Sequence, residues 1–306
     1  LSSLNIEKYD EWKDDKNFIS DVMRFLDNVL TDFIEKAPEE FSDATYSAMK
    51  ERSVGLGVMG LHSFFQQKMI PLESVMSKVW NKKIFEHIQK DVDKASKDLA
   101  EERGACPDAA DYGIKERFSN KTAIAPTASI SIICGGTSPG VEPIAANSFT
   151  HKTLSGSFNV RNRYLEKILE KHNKNDDETW SSITTNQGSV SHLDFLTQQE
   201  KDVFKTAFEL DQKWIVELGA DRTPHISQAQ SINIFVPADI HKKELHQIHF
   251  QAWKKGLKSL YYCRSKSIQR AENVNDAKLT DVTANVYKSK NQQNEEQEYE
   301  ECLSCQ

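Results

Sequence analysis

Along residues 18–36 apolar side chains recur at Phe18, Val22, Phe25, Leu26, Val29, Phe33 and Ile34. That is the i, i+3, i+4 stripe of an amphipathic helix, and Pro38 closes it. A longer helix is predicted from Glu73 to Arg103, with Met76, Val79, Trp80, Ile84, Ile88, Val92, Ala95 and Leu99 toward the core. Gly104 ends it and Pro107 keeps it ended. Thr197 and Glu200 form a capping-box pair that opens a helix over 197–218, ahead of Val203, Phe204, Ala207, Trp214, Ile215 and Leu218. Residues 231–236 read as a strand, Asp239 to Lys258 as a helix, and Leu260-Tyr261-Tyr262 as a second buried strand. Taken alone the pattern is mixed α/β and helix-rich, with no internal repeat.

Two segments break the periodicity. Residues 52–60 place three glycines around Leu56 and Val58, a spacing that serves either a phosphate cradle or close helix packing. With no Lys-Ser/Thr ending, the packing role is expected. Residues 122–145 begin apolar and then turn small and hydroxylated, which predicts a short strand, a turn and a helix start. From about Gln269 the character changes again. Residues 288–301 hold one aromatic, Tyr299, no aliphatic side chain and five glutamates, too little apolar surface to offset ordering entropy. The expected division is therefore a folded part over 1–268 and an acidic tail over 269–306.

Composition narrows the class. At 306 residues the chain is long enough for one large domain or two. Its net charge of −7 and the lack of a Lys/Arg run argue against a nucleic-acid binder. No apolar stretch reaches the ~20 residues that span a bilayer, and no segment reads as a secretory signal. Five cysteines make no disulfide scaffold, so a reducing, cytoplasmic setting is expected.

Three features carry candidate chemistry. Cys302 and Cys305 lie three residues apart at the end of the tail, where two thiols close a disulfide or share a metal. A zinc site needs about four ligands and there is no second Cys pair, so no metal is expected. An arm from residue 287 has an r.m.s. reach of roughly 25 Å, which suits delivery of electrons to a site elsewhere. Tyr261 and Tyr262 are adjacent, and neighbouring phenols can relay an oxidising equivalent. Successive strand residues point to opposite faces, so contact between the rings requires a departure from regular strand geometry. Thr127, Ala128, Ser129 and Ile130 follow Pro126 at the expected helix start, where unpaired backbone N–H groups suit a nucleotide's phosphates. Cys106, Cys134 and Cys263 are read as small core residues, and His241, His246 and His249 as a solvated helix face.

In order and spacing these segments resemble the C-terminal part of the large (alpha) subunit of class I ribonucleotide reductase. The likeness runs through Ala125 to Ser129, Val141-Glu142-Pro143, Leu154-Ser155-Gly156, Ile226 to Asn233, Ala252 to Lys258, Tyr261-Tyr262 and the terminal Cys pair. The resemblance implies part of a ten-stranded α/β barrel with helical additions and a flexible C-terminal tail. It implies that Thr127 to Ile130 hold the diphosphate of a ribonucleoside substrate, that Tyr262 and then Tyr261 pass a radical inward, and that Cys302 and Cys305 re-reduce an active-site disulfide. No cofactor is bound by this chain on that reading. A di-metal centre with a tyrosyl radical belongs to a small partner subunit, and thioredoxin or glutaredoxin is the final reductant. A homodimeric large subunit is implied, with no membrane and no direct nucleic-acid contact.

The family's thiyl-radical Cys in an Asn-x-Cys-x-Glu arrangement is missing from this sequence. Also missing are both active-site redox cysteines and the nucleotide-sensing region. The chain is therefore expected to need an N-terminal half, as one piece of a split enzyme or a fragment of a longer one, and to be inactive alone. Two other readings stay open: a non-catalytic partner-binding chain with a redox-active dithiol tail, and a general thiol–disulfide carrier on an unrelated α/β domain.

Overall fold

The computed structural model describes residues 1–153 and 156–265, with side chains omitted for residues 151–158. The chain opens with β1 (Ser2–Asn5) and the one-turn helix α1 (Tyr9–Trp12), followed by α2 (Phe18–Lys36), α3 (Ser42–Glu51), β2 (Leu56–Met59) and α4 (Leu61–Gln67). Helix α5 (Val75–Arg103) is the longest of the described helices, and α6 (Pro107–Ala110) and α7 (Ile130–Ile133) are single turns. A hairpin of β3 (Ser148–Thr153) and β4 (Gly156–Arg161) precedes α8 (Arg163–Lys171), α9 (Asp177–Thr185), α10 (Gln198–Val203) and α11 (Gln212–Arg222). The described residues end with β5 (Ile234–Val236), α12 (Lys242–Lys254) and β6 (Cys263–Ser265).

Apart from the hairpin, the strand pairing is parallel. β1 pairs with β2 and β5 with β6, while isolated bridges join Leu56 to Thr122 and Ile124 to Gln230. The segments thus run side by side in chain order: β1, β2, residues 122–124, residues 230–236, β6. The outer helices follow the same order, α2 against α5, α5 against α11, and α11 against α12. Parallel neighbours need crossovers of a dozen or more residues, and these helices supply them. The arrangement is one run of an α/β barrel, with β1 and α2 at one end and β6 and α12 at the other. No helix among the described residues is long and apolar enough to cross a membrane.

The main core joins Leu4, Ile6, Leu56, Val58, Leu61, Phe64, Phe65, Ile84, Ile88 and Val92 between strands and helices. Residues 52–60, expected to serve close helix packing, instead carry β2, and their glycines let strands approach. A Cβ on Gly57 would stand 2.3 Å from the carbonyl oxygen of Ala123 in the next strand. Gly57→Ala is therefore expected to cost about 1–3 kcal/mol of stability by overpacking, read as a lower urea midpoint with unchanged slope.

Several expectations are corrected by the packing. Helix α2 has the expected limits, but its buried side is Ile19, Met23 and Leu26, while Phe25, Val29 and Phe33 lie exposed. Met76 and Val79 are exposed because α5 begins at Val75, capped by Ser74, and presents Ser77 and Asn81 inward instead. The helix expected over 197–218 is two helices. The capping box of Thr197 and Glu200 is present, but Glu209 takes the backbone N–H and hydroxyl of Thr206, and Asp211 caps α11. Such side-chain bonds to local backbone compete with helix continuation. Of the three expected core cysteines only Cys106 is buried; Cys134 ends a one-turn helix and Cys263 lies on a strand without cover, and both are exposed.

An ionic cluster ties α2, α3, α5 and the following loop together. The carboxylate of Asp27, fully buried, accepts hydrogen bonds from Arg52 Nη2 at 2.7 Å, Arg103 Nη1 at 2.8 Å and Arg117 Nε at 2.8 Å. Burial opposes its ionisation, yet the bonds from Arg117, Arg103 and Arg52 outweigh burial and hold the carboxyl below its ordinary range.

Candidate functional site

Residues 125–143 and 232–264 build the site. After the 122–124 strand segment the chain turns through Thr127, a β-branched residue at φ 56°, in the left-handed region that favours glycine. The buried Thr127 hydroxyl accepts the N–H of Gly140 at 2.7 Å, which explains why the turn holds. Thr127 thus shapes the loop with its side chain. Ala128, Ser129 and Ile130 are exposed, and no side-chain cap closes the start of α7. The helix that starts here is a single turn, so it adds little dipole. Behind it, Arg163 bridges the carbonyl of Gly135 (2.8 Å) and the carboxylate of Glu7.

The tyrosines stand just before β6, so the regular strand begins one residue after the expected buried pair. Tyr261 N–H donates to Ile232 O at 2.8 Å and Ile234 N–H to Tyr262 O at 3.0 Å, which fixes the segment against the 232–234 backbone. Their side chains do not alternate as in a regular strand. The ring centroids are 4.1 Å apart at 48°, and the Tyr261 hydroxyl donates to the Tyr262 hydroxyl at 3.4 Å. Both rings are 41% exposed. The guanidinium of Arg264 lies over the Tyr262 ring, 5.6 Å from its centroid.

One group here was missed by sequence reasoning, although its motif was noticed. Glu142 is buried, and its Oε1 has no hydrogen-bond partner. Burial pushes its carboxyl up to about 7, against opposing hydrogen bonds from the side chain and backbone of Asn233 and the charge of Arg264. Asn233 Oδ1 in turn accepts the Tyr262 N–H at 2.9 Å. Pro139 O accepts the Glu142 N–H at 3.0 Å, so the Thr127–Gly140 turn and Glu142 belong to one segment that lies beside Asn233. The signal available in the sequence was an acidic residue set between Val141 and Pro143 without a nearby cation.

The raised Glu142 value has a signed consequence. Its folded pKa exceeds the ordinary carboxyl value of 4.5, so the folded chain binds the proton more tightly than the unfolded one. Stability from this group is present below pH 4.5 and is lost as pH rises through about 7. Glu142→Gln is expected to remove that loss, so the variant gains on wild type between pH 5 and 8 in urea titrations. A stability difference that does not change with pH would contradict this.

The remaining candidates fall elsewhere. His241 caps α12 by accepting the Lys243 N–H, His249 Nδ1 meets Leu245 O at 2.9 Å, and His246 stacks on Phe250. Among the described residues no cluster of three His, Cys, Asp or Glu side chains could hold a metal. Leu154, Ser155, Cys302, Cys305 and the whole tail over 269–306 lie outside the described residues. In the 226–233 stretch Ser227 bonds Thr122 and Gln230 bonds the buried Arg222, so those side chains are structural, whereas Asn233 bonds the Tyr262 N–H.

The family described as "Ribonucleotide reductase, barrel domain" matches residues 1–116 and 107–263. The ribonucleoside-diphosphate reductase large subunit of Invertebrate iridescent virus 6 is 52% identical over 278 residues, 90% of this chain and 29% of that protein. Its counterpart from Invertebrate iridescent virus 3 is 44% identical over 283 residues, 92% of this chain and 45% of that protein. Among solved structures, the class Id ribonucleotide reductase alpha subunit of Actinobacillus ureae superposes with a TM-score of 0.80 at 37% identity, covering 88% of this chain and 50% of that one. The chain therefore spans half or less of the length of these relatives. A parallel strand run with the tyrosine pair at its end, and a family match over most of its length, make this chain a member of the ribonucleotide reductase large-subunit family.

Proposed function

We propose that the chain is the second part of a reductase catalytic barrel, reducing ribonucleoside diphosphates to deoxyribonucleoside diphosphates by radical chemistry. The observation that carries this is the Tyr261–Tyr262 contact, two phenols touching where regular strand geometry would separate them. Each transfer moves an electron between the rings while a proton leaves one hydroxyl, and the hydroxyl contact gives that proton an immediate acceptor. Tyr262 takes the oxidising equivalent from a small subunit that holds a di-metal centre and tyrosyl radical, then passes it to Tyr261. Backbone N–H groups at Ala128 to Ile130 hold the diphosphate, with the Thr127 turn setting their positions. Glu142, buried with an unpartnered Oε1 and holding its proton more tightly than an ordinary carboxyl, is a group in this region able to take or return a proton. Loss of the 2′ hydroxyl as water leaves a disulfide in the active site. Cys302 and Cys305 return two electrons and two protons to it by thiol–disulfide exchange and are then reduced by thioredoxin or glutaredoxin. This division assigns 1–268 to the barrel and 269–306 to the delivering tail, within a homodimeric cytoplasmic assembly.

The test is cytidine diphosphate reduction by this chain mixed with an N-terminal half carrying the radical Cys, a small radical subunit and dithiothreitol. Turnover is expected in the full mixture and in no mixture lacking one protein. Absence of turnover when the halves are associated would replace this reading with that of a non-catalytic assembly chain.

A further inference from the structure

The segment that follows the Thr127 turn is held at its far end by polar tethers rather than by packing. Helix α7 is a single turn whose one buried residue is Ser131, while Ile130, Ile132 and Ile133 are exposed. One turn is far below the length at which a helix holds itself together in water. Beyond it Gly135 and Gly136 take φ of 92° and 69°. A Cβ on Gly136 would meet nothing within 4 Å, and one on Gly135 would meet only Arg163 Nη1, at 3.9 Å. Two carbonyls at this end face side chains from other elements. Arg163 Nη1, at the start of α8, donates to Gly135 O at 2.8 Å, and Asn5 Nδ2, at the end of β1, stands 3.5 Å from Cys134 O. The same guanidinium donates through Nη2 to Glu7 and lies over the Tyr164 ring, 5.4 Å from its centroid. Glu7 is buried, and Asn5 Oδ1 accepts its N–H at 3.1 Å. One nitrogen of the fork is therefore fixed on a buried carboxylate at the end of β1, and the other on the loop.

We propose that Arg163 is a positioning residue for the substrate diphosphate: anchored on Glu7, it sets the loop whose N–H groups at Ala128 to Ile130 receive the phosphates. This role rests on the reductase reading of the chain. Arg163 acts through the Gly135 carbonyl and not by contact with the phosphates. A loop fixed before the ligand arrives loses less freedom on binding, which strengthens the complex. The phosphates are remote from the ribose carbon that is reduced, so contacts to them are alike in ground and transition states. Loosening the loop therefore raises KM and leaves kcat unchanged. The planar fork is the essential element. A lysine at this position keeps the charge, but its ammonium is a point donor that does not span a carboxylate and a carbonyl in fixed geometry.

The test is steady-state reduction of cytidine diphosphate by this chain with an N-terminal half carrying the radical Cys, a small radical subunit and dithiothreitol. Binding of cytidine diphosphate to the two large-subunit halves is measured separately by calorimetry. Arg163→Gln is expected to raise both KM and the dissociation constant at least about tenfold, the scale of one charge-assisted hydrogen bond, with kcat within about twofold of wild type. Arg163→Lys is expected to stay nearer to Arg163→Gln than to wild type. Glu7→Gln is expected to raise KM by less, and to add nothing when combined with Arg163→Gln, since both act through one fork. Arg161→Gln, which breaks a comparable pair with Asp177 away from the loop, is expected to leave KM unchanged. Circular dichroism of each variant reports that it folds. A wild-type KM for Arg163→Gln in a mixture that turns over would overturn the positioning role while the reductase reading stands. Full rescue by Arg163→Lys, or a fall in kcat at unchanged KM, would overturn it as well, and additive effects of the Glu7 and Arg163 variants would overturn the anchoring on Glu7. A wild-type mixture that neither binds nor reduces cytidine diphosphate would overturn both readings.

Discussion

Tyr262→Phe is expected to abolish turnover in the assembled enzyme, to below about one hundredth of wild type, while the chain stays folded. A loss of ~100-fold corresponds to about 2.7 kcal/mol of barrier. The reason is chemical: phenylalanine keeps the ring and its packing but has no hydroxyl to lose a proton. The Tyr261–Tyr262 hydroxyl contact at 3.4 Å is then lost. The packing cost is small, because the ring is 41% exposed and the segment is fixed by backbone bonds to Ile232 and Ile234. Thermal unfolding within a degree or two of wild type, together with unchanged diphosphate affinity, separates a relay defect from a folding defect. Multiple turnovers by Tyr262→Phe at a tenth of wild type or more would remove the tyrosine from the path.

The largest expected effect on stability is at Asp27. Removing its carboxylate leaves Arg52, Arg103 and Arg117 facing one another around a fully buried site. Breaking a buried ion pair by deleting one partner costs about 3–5 kcal/mol. In a chain of this size that lowers the melting temperature by roughly 5–9 °C. Asp27→Ala is therefore expected to unfold well below wild type by calorimetry. The pH dependence has a definite sign. The folded pKa of Asp27 is depressed, so its contribution is present above the unfolded value near 3.8 and is lost as pH falls below that. The gap between wild type and Asp27→Ala should close in acid. A gap that does not narrow as pH falls would show that packing, not charge, holds these helices together.

How far the sequence could be read depended on whether a signal was local. Helix α2 was legible to the residue because its periodicity and Pro38 act within a few turns. Which apolar side it buries was not, because that depends on the neighbour in the next layer: the stripe with most apolar residues is the one left bare. The break between α10 and α11 comes from Thr206, Glu209 and Asp211 bonding to local backbone, a competition that apolar spacing does not register. The tyrosine contact was stated as a condition, a departure from strand geometry, and the structure meets it through bonds to Ile232 and Ile234 more than 25 residues earlier. Glu142 was hidden for a similar reason: its altered acidity comes from burial beside Asn233, and burial is a property of the assembled barrel. Thr127 stands in the turn that the sequence predicts, and that its hydroxyl is spent on Gly140 could not be read from residues 13 positions apart.

The parallel strand order has a consequence for how the chain reaches its fold. Ser2 must find Leu56, Leu56 must find Thr122, and Ile124 must find Gln230, so each pairing closes a long loop before it gains anything. Among the described strands only the β3–β4 hairpin is built from close neighbours. A topology this rich in distant contacts folds slowly. During synthesis β1 leaves the ribosome before β2 and waits for that partner, with α2 already displaying phenylalanines. In that interval an apolar helix and a bare strand edge invite aggregation. Yield of soluble chain should therefore rise when translation is slowed or a chaperone that covers nascent apolar segments is supplied.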